Sequence, residues 1–283
     1  MIRYLLPFLL LAWPAIAADL KVATWNLNWL TLRQTGDPIL PRTVTARRTE
    51  DWAALRRYAT QLDADVVAFQ EVDGLRAAAE VFPPDRYQLF MTGDDVVQRT
   101  GFAVKRTLAV ERNPDLAGLD IYPNARFRLR SGADITITLP GGRLRLLDVH
   151  LKTGCHEAPL ASNRRSCQTL RQQVAPLQGW ITQRRAEGVP FVIAGDFNRV
   201  MDGHDELLSA LAVKAPLTRA TENQSTPCWG GNTFIDHILA GGPARGWMLP
   251  TSLRVLVYRE TDEADKERLS DHCPVSVRFR VPD

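Results

Sequence analysis

Short apolar runs, several of them ending on a polar cluster, alternate with helix-like stretches along most of the chain. Residues 20–27 read as a first strand. Between Thr45 and Leu62, the side chains Trp52, Leu55, Ala59 and Leu62 recur at helical spacing. Val66 to Phe69 form a continuous apolar run of buried-strand type. Residues 74–81 predict a brief helix stopped by Pro83 and Pro84, because proline lacks a backbone donor and clashes with the preceding turn. Strands are expected over 87–90 and 101–105, and a long surface loop over 107–133. Ile135 to Leu139 alternates with threonine, Gly141 and Gly142 supply a turn, and residues 143–150 return as the second arm of a hairpin. Leu170, Val174, Leu177 and Ile181 share one face of a helix over 166–186, which Pro176 is expected to kink. Residues 191–194 form another buried strand, and Asp202 is the expected cap of a helix reaching Ala210. Strands over 233–240, 253–258 and 274–281 complete the chain. In the last of these, Val275, Val277, Phe279 and Val281 point to one face. Hairpins mixed with helix-linked strands predict an α/β (α+β) fold, a four-layer sandwich of two packed mixed β-sheets flanked by helices.

The first 18 residues break this pattern. Arg3 precedes an uncharged, mostly apolar stretch that ends in small residues before Asp19. A basic start, a short apolar run and small residues are the marks of a cleavable signal peptide. The run falls short of the roughly 20 residues that a spanning helix needs, so no stable membrane anchor is expected. The expected organisation is a signal peptide over 1–18 and one domain over 19–283, in the periplasm or secreted. A formal charge of +3, to which Arg3 contributes, is too mild to demand a polyanionic partner. Arginine is nevertheless clustered at 126, 128 and 130 and again at 164, 165 and 171. No C-x-x-C pair exists among Cys155, Cys167, Cys228 and Cys273, which argues against a structural zinc site. In an exported chain disulfides become the default, and four cysteines allow three pairings. Cys155–Cys167 closes a short polar loop and is preferred. Cys228–Cys273 is the remainder, with Cys273 as a buried free thiol the alternative.

Six polar clusters sit at the ends of apolar runs: Trp25-Asn26, Gln70-Glu71, His150-Leu151-Lys152, Gly195-Asp196-Phe197-Asn198, Ile235-Asp236-His237 and Ser270-Asp271-His272. Asn26, Glu71, His150 and Asp196 follow their strands, whereas Asp271 and His272 precede theirs. If all meet at one rim, the final strand must run opposite to the earlier ones. In their order and wording, T-W-N-L-N, F-Q-E-V, D-V-H-L-K, G-D-F-N, I-D-H-I and S-D-H-C-P-V resemble the endonuclease/exonuclease/phosphatase family, of deoxyribonuclease I type. The resemblance runs from about residue 20 to the C-terminus.

That resemblance implies a set of roles. Glu71 corresponds to the principal Mg²⁺ carboxylate, with Asn26 and Asp271 as further ligands or as groups supporting them. Hard oxygen ligands suit Mg²⁺, with Mn²⁺ or Ca²⁺ as substitutes. His272 corresponds to a catalytic imidazole oriented by Asp236, and Asp196 to the group that orients or deprotonates the attacking water. Asn198 and Lys152 would contact the substrate phosphate. His150 corresponds to a second catalytic imidazole, as in deoxyribonucleases, sphingomyelinases and inositol phosphatases. No carboxylate partner for it is evident, with Asp94 or Asp95 the nearest guess. His237 points away by strand alternation and receives no role, and His156 and His204 read as loop residues. The implied activity is divalent-metal-dependent phosphodiester hydrolysis, most readily of DNA or RNA. Phospholipid cleavage of the sphingomyelinase kind, a phosphatase, or a non-hydrolytic binding module on the same fold are the alternatives.

Overall fold

Alternating burial begins at Asp19 in the computed structural model, which describes residues 19–126, 128–231 and 233–282. The expected signal peptide over 1–18 lies outside the described residues. The elements follow in the order β1 (Asp19–Leu30), α1 (Thr49–Leu62), β2 (Val66–Val72), α2 (Leu75–Val81), β3 (Tyr87–Met91) and β4 (Arg99–Lys105). The middle of the chain forms β5 (Ala109–Arg112), β6 (Ala133–Leu139), β7 (Gly142–His150), α3 (Arg165–Glu187), β8 (Phe191–Asp196) and α4 (Glu206–Ala212). It closes with β9 (Leu217–Arg219), β10 (Asp236–Gly241), α5 (Ala244–Trp247), β11 (Met248–Val255), α6 (Glu263–Arg268) and β12 (Val275–Arg280).

The strands form two six-stranded sheets, ordered β11-β12-β1-β2-β4-β3 and β5-β6-β7-β8-β10-β9. Both are mixed. β1 pairs parallel to β2 but antiparallel to β12, and β7 pairs parallel to β8, which is antiparallel to β10. The reversed final strand is the arrangement that the positions of Asp271 and His272 require. Apolar side chains between the sheets, among them Val22, Val66, Phe102, Ile135, Leu146, Val192 and Val277, form the central core. α1 and α2 cover the outer face of the first sheet around Trp25, Phe69 and Leu55. α3 packs on the outer face of the second around Leu170, Trp180 and Ile193. The four layers follow from strands that carry apolar residues on both faces.

Several local expectations shift. The 107–133 segment is not all loop, since β5 pairs with β6 as an edge strand, Val110 opposite Ile137. Half-exposed and exposed residues throughout so short a strand leave too weak an alternation to read. The helix expected after Asp202 starts later. Asp205, not Asp202, is its cap, its Oδ1 accepting from the Leu208 amide at 2.9 Å, while Asp202 closes a turn onto the His204 amide. α3 continues through Pro176 to Gly188, which ends it in the left-handed conformation. Both disulfides form as preferred, Cys155–Cys167 and Cys228–Cys273, and no cysteine is free.

Candidate active site

Register brings the polar clusters to one rim. In the second sheet His150 lies opposite Asp196, which lies opposite Asp236. In the first sheet Asn26 pairs with Gln70, next to Glu71. The backbone turns sharply where these strands end: Asn28, Trp29, Glu71 and Asn198 all have positive φ. Such left-handed non-glycine residues cost roughly 1 kcal/mol or more each and persist where surrounding bonds hold them. Here the bonds are visible. The Trp29 amide donates to Glu71 Oε2 at 3.1 Å, and the Arg47 guanidinium caps the carbonyls of Leu27, Asn28, Trp29 and Leu269. Burial lowers Arg47 to about 10, which leaves it a cation at neutral pH. Gly195, just before Asp196, allows β8 to approach β7, for a Cβ there would sit 1.9 Å from the Val149 carbonyl oxygen.

Asp196 Oδ2 is the hub. It accepts from Asn26 Nδ2 at 3.0 Å and Asn198 Nδ2 at 3.1 Å, and lies 3.6 Å from His150 Nε2 and 3.8 Å from His272 Nε2. Asn26 Nδ2 also donates to Glu71 Oε1 at 3.1 Å, and His150 Nε2 stands 3.7 Å from the same oxygen. Burial, reinforced by Asp236 and opposed by His272, raises the Asp196 carboxyl to about 7. His272 Nδ1 donates to Asp236 Oδ2 at 2.7 Å. Burial disfavours the His272 imidazolium, but Asp236 and Asp196 outweigh it and hold the ring well above its ordinary value. Backbone anchors fix it further. Tyr258 Oη donates to the His272 carbonyl at 2.8 Å, and Ser270 Oγ accepts from the His272 amide and donates to the Asn26 carbonyl.

The six residues Asn26, Glu71, His150, Asp196, Asp236 and His272 therefore converge. Asp271 stands at the mouth, half exposed, its Oδ1 3.9 Å from His272 Nε2. Asn198, expected at the substrate phosphate, lies against Asp196. Its side-chain nitrogen is engaged by Asp196 and the Leu151 carbonyl, so it braces the hub. Asp94 is not the partner of His150, because it accepts from the Ser131 amide and hydroxyl at 2.8 Å each. His150 Nδ1 is buried and has no hydrogen-bond partner among the described residues. His237 points away, as alternation required, onto Thr221 Oγ1 and the Arg199 carbonyl.

A match to a family model, that of the Endonuclease/Exonuclease/phosphatase family, extends over residues 23–272. The chain belongs to that family. The family's enzymes are phosphoesterases and nucleases that depend on divalent metals. No curated protein matches the sequence. Solved structures match across nearly the whole fold. A truncated TDP2 of Caenorhabditis elegans is 17% identical with a TM-score of 0.62, covering 93% of this chain and 97% of that one. The 3′ phosphatase NExo of Neisseria, bound to a product DNA hairpin, is 17% identical with a TM-score of 0.59, covering 92% and 99%. The catalytic domain of human Nocturnin with bound sulfate is 15% identical with a TM-score of 0.58, covering 92% and 94%. At these identities the likeness is one of fold.

The family's divalent cation finds a suitable donor set here. Glu71 and Asp271 form no ion pair with any lysine or arginine among the described residues, and their hard carboxylate oxygens suit such a cation. One ligand atom each from Asp196, Asp236 and His272 falls within 4.8 Å of the others. Asn26 turns its nitrogen toward both carboxylates while its Oδ1 accepts from the Asn28 amide, which is the posture of a supporting group.

Two neighbours carry no motif that sequence reading could weigh. Arg130 is buried behind His150, its guanidinium bonded to Gln98 and, at 3.3 Å, to the His150 carbonyl. Tyr258, bonded to Trp25 Nε1 at 2.8 Å, lies in a segment with no polar signature. A third, Asp148, sits inside the D-V-H-L-K motif. It accepts from Gln70 Nε2 at 2.6 Å and the Gly101 amide at 2.8 Å, which ties the two sheets beneath the rim. Burial raises its carboxyl well above the usual range.

Proposed function

We propose that this protein is an exported, divalent-cation-dependent phosphodiesterase acting on nucleic acid. The carrying observation is the hub: a buried carboxylate, Asp196, poised near neutrality between two imidazole Nε2 atoms, with Glu71 beside it. A group of this kind orients a water and accepts its proton as the water attacks phosphorus in line. His272, kept cationic by Asp236, faces the charge that develops on the phosphoryl or leaving oxygen. His150, held neutral, offers Nε2 to the same region. Lys152, two residues beyond, stands as the first cation met by a substrate phosphate. A divalent cation held by Glu71, with Asp271 and Asn26 in support, would supply neutralisation of the phosphoryl oxygens, and Mg²⁺ suits these oxygen donors.

Export is the compartment in which two disulfides are stable. No helix among the described residues is long and apolar enough to cross a membrane. Protein recovered from a periplasmic or secreted fraction should begin near Asp19 on N-terminal sequencing, and a mature form retaining Arg3 refutes the signal peptide. For the activity, plasmid DNA, RNA, sphingomyelin and bis-p-nitrophenyl phosphate should be incubated side by side with Mg²⁺, Mn²⁺ or Ca²⁺ and with a chelator. Chelator-sensitive hydrolysis of nucleic acid is expected. Silence across the whole panel would mean a binding module instead.

A further inference from the structure

The arginines clustered at 126–130 and 164–171 take no part in the chemistry above, and folding brings members of both clusters, Arg126, Arg128 and Arg165, to one groove. The groove, about 590 Å³, is lined by Tyr122, Arg126, Arg128, Lys152, Arg165 and Thr169 among others. It starts at Lys152, two residues past His150, and so continues directly from the rim.

Its cations are not equivalent. Arg128 is neutralised by Asp120, 2.8 Å away, and Arg171 is spent on the Leu160 carbonyl. Arg130 is buried beneath, on Gln98 and the His150 carbonyl. Lys152 and Arg165, by contrast, form no ion pair among the described residues, although both line the groove. Burial, and then the nearby Arg130 and Arg165, depress the Lys152 ammonium, the mark of positive charge gathered without compensation.

The walls are fastened together. Gln173, fully buried inside α3, accepts from the Lys152 amide at 2.9 Å through Oε1 and donates to the Leu119 carbonyl at 2.8 Å through Nε2. The Cys155–Cys167 disulfide ties the loop after Lys152 to the first turn of α3, and Ser166 Oγ donates to the Gly154 carbonyl. Backbone fixed on both walls sets where the Lys152 and Arg165 side chains start, which lowers the ordering cost of binding an anion. Of the large apolar side chains exposed on the described surface, only Tyr122 lines the groove, at 38% exposure. One aromatic face beside two cations fits a nucleotide, not a lipid surface, which needs a broad apolar patch.

We propose that this groove is a second phosphate subsite, in which Lys152 and Arg165 hold a phosphate flanking the scissile one and Tyr122 stacks on a base of the same nucleic-acid strand. The inference rests on the phosphodiesterase reading and adds that the substrate is a polymer. The test compares bis-p-nitrophenyl phosphate with single-stranded oligonucleotides of two to eight nucleotides, in wild type and in Arg165→Glu and Arg165→Ala. For wild type, KM should fall about 10-fold or more as the strand lengthens, the scale expected of one or two bound phosphates and a stacked base. Arg165→Glu should abolish most of that length advantage, and Arg165→Ala about half. The slope of log KM against log salt should drop by about 0.7 for each phosphate that no longer meets a cation. A length advantage and salt slope unchanged in a folded Arg165→Glu variant overturn the subsite. So does an effect of that variant confined to sphingomyelin in phosphatidylcholine vesicles. Cleavage of the small diester with no length advantage in wild type removes the groove alone. Cleavage of nothing by wild type removes the phosphodiesterase reading as well.

Discussion

His150 and His272 approach the same Asp196 oxygen, at 3.6 and 3.8 Å, yet they are built as opposites. Behind His272 stands a carboxylate, Asp236, on Nδ1. Behind His150 stands a cation, Arg130, on its carbonyl, and Nδ1 is left without a partner among the described residues. Burial acts alike on both rings. Asp236 and Asp196 overcome it at His272, while Arg130 adds to it at His150 and drives that ring well below its ordinary value. A third imidazole serves as reference. His237, fully buried with only neutral partners, is lowered to about 3, by burial above all. Partners, not depth, decide which ring carries the proton.

The largest effects should come from breaking the charged wall. His272→Ala or Asp196→Asn should lower kcat about 10³-fold, the range lost with a general acid or base. Circular dichroism and melting should stay near wild type, and near-normal turnover in a folded variant removes the assigned chemistry. Asp236→Asn keeps the shape but not the charge, so a loss of about 10²-fold is expected, together with a shift of the pH–rate profile toward lower pH as His272 loses its counter-ion. An unshifted profile would mean that Asp236 does not set the state of His272.

His237 gives a sharper reading of the neutral case. Its proton affinity is lower folded than unfolded, so the unfolded chain binds more protons once pH falls below about 6.5, and stability must fall with it. From His237 alone the loss should be about 2 kcal/mol between pH 6.5 and 5, and should continue toward pH 3. Urea midpoints at stepped pH measure it, and His237→Gln should flatten that limb of the curve. An equally steep limb in the variant would place the acid sensitivity elsewhere. The smallest effect is expected at the back of His150. Arg130→Gln should cost about 10-fold in kcat, by loosening the bond to the His150 carbonyl, with little change in the pH dependence assigned to His272. An equal shift in both would mean that the two walls are coupled, not separate.

Much of this contrast was legible in the sequence and part of it was not. Asn26, Glu71, Asp196, Asp236 and His272 could be read because each lies in a short motif that resembles the family's, at the end of an apolar run. The reversed last strand followed from the same positions. Arg130 was visible only as one arginine of a cluster, and nothing local tells a buried guanidinium bonded to a carbonyl from a solvated one. Tyr258 acts through a contact spanning 233 residues to Trp25, which no local pattern encodes. Asp148 hides in plain alternation, since its inward direction reads as an error of patterning until Gln70 and Gly101 are seen to meet it. Edge strand β5 escaped because exposed edges carry no apolar rhythm.

β12, the strand that follows His272, is inserted between β11 and β1, one place in from the edge of the first sheet. His272 arrives only with it. A nascent chain can therefore assemble most of its second sheet, with His150, Asp196 and Asp236 in register, and still lack the proposed acid. Displacing β12 alone would unmake the Asp236–His272 pair while leaving the residues of the second sheet where they are.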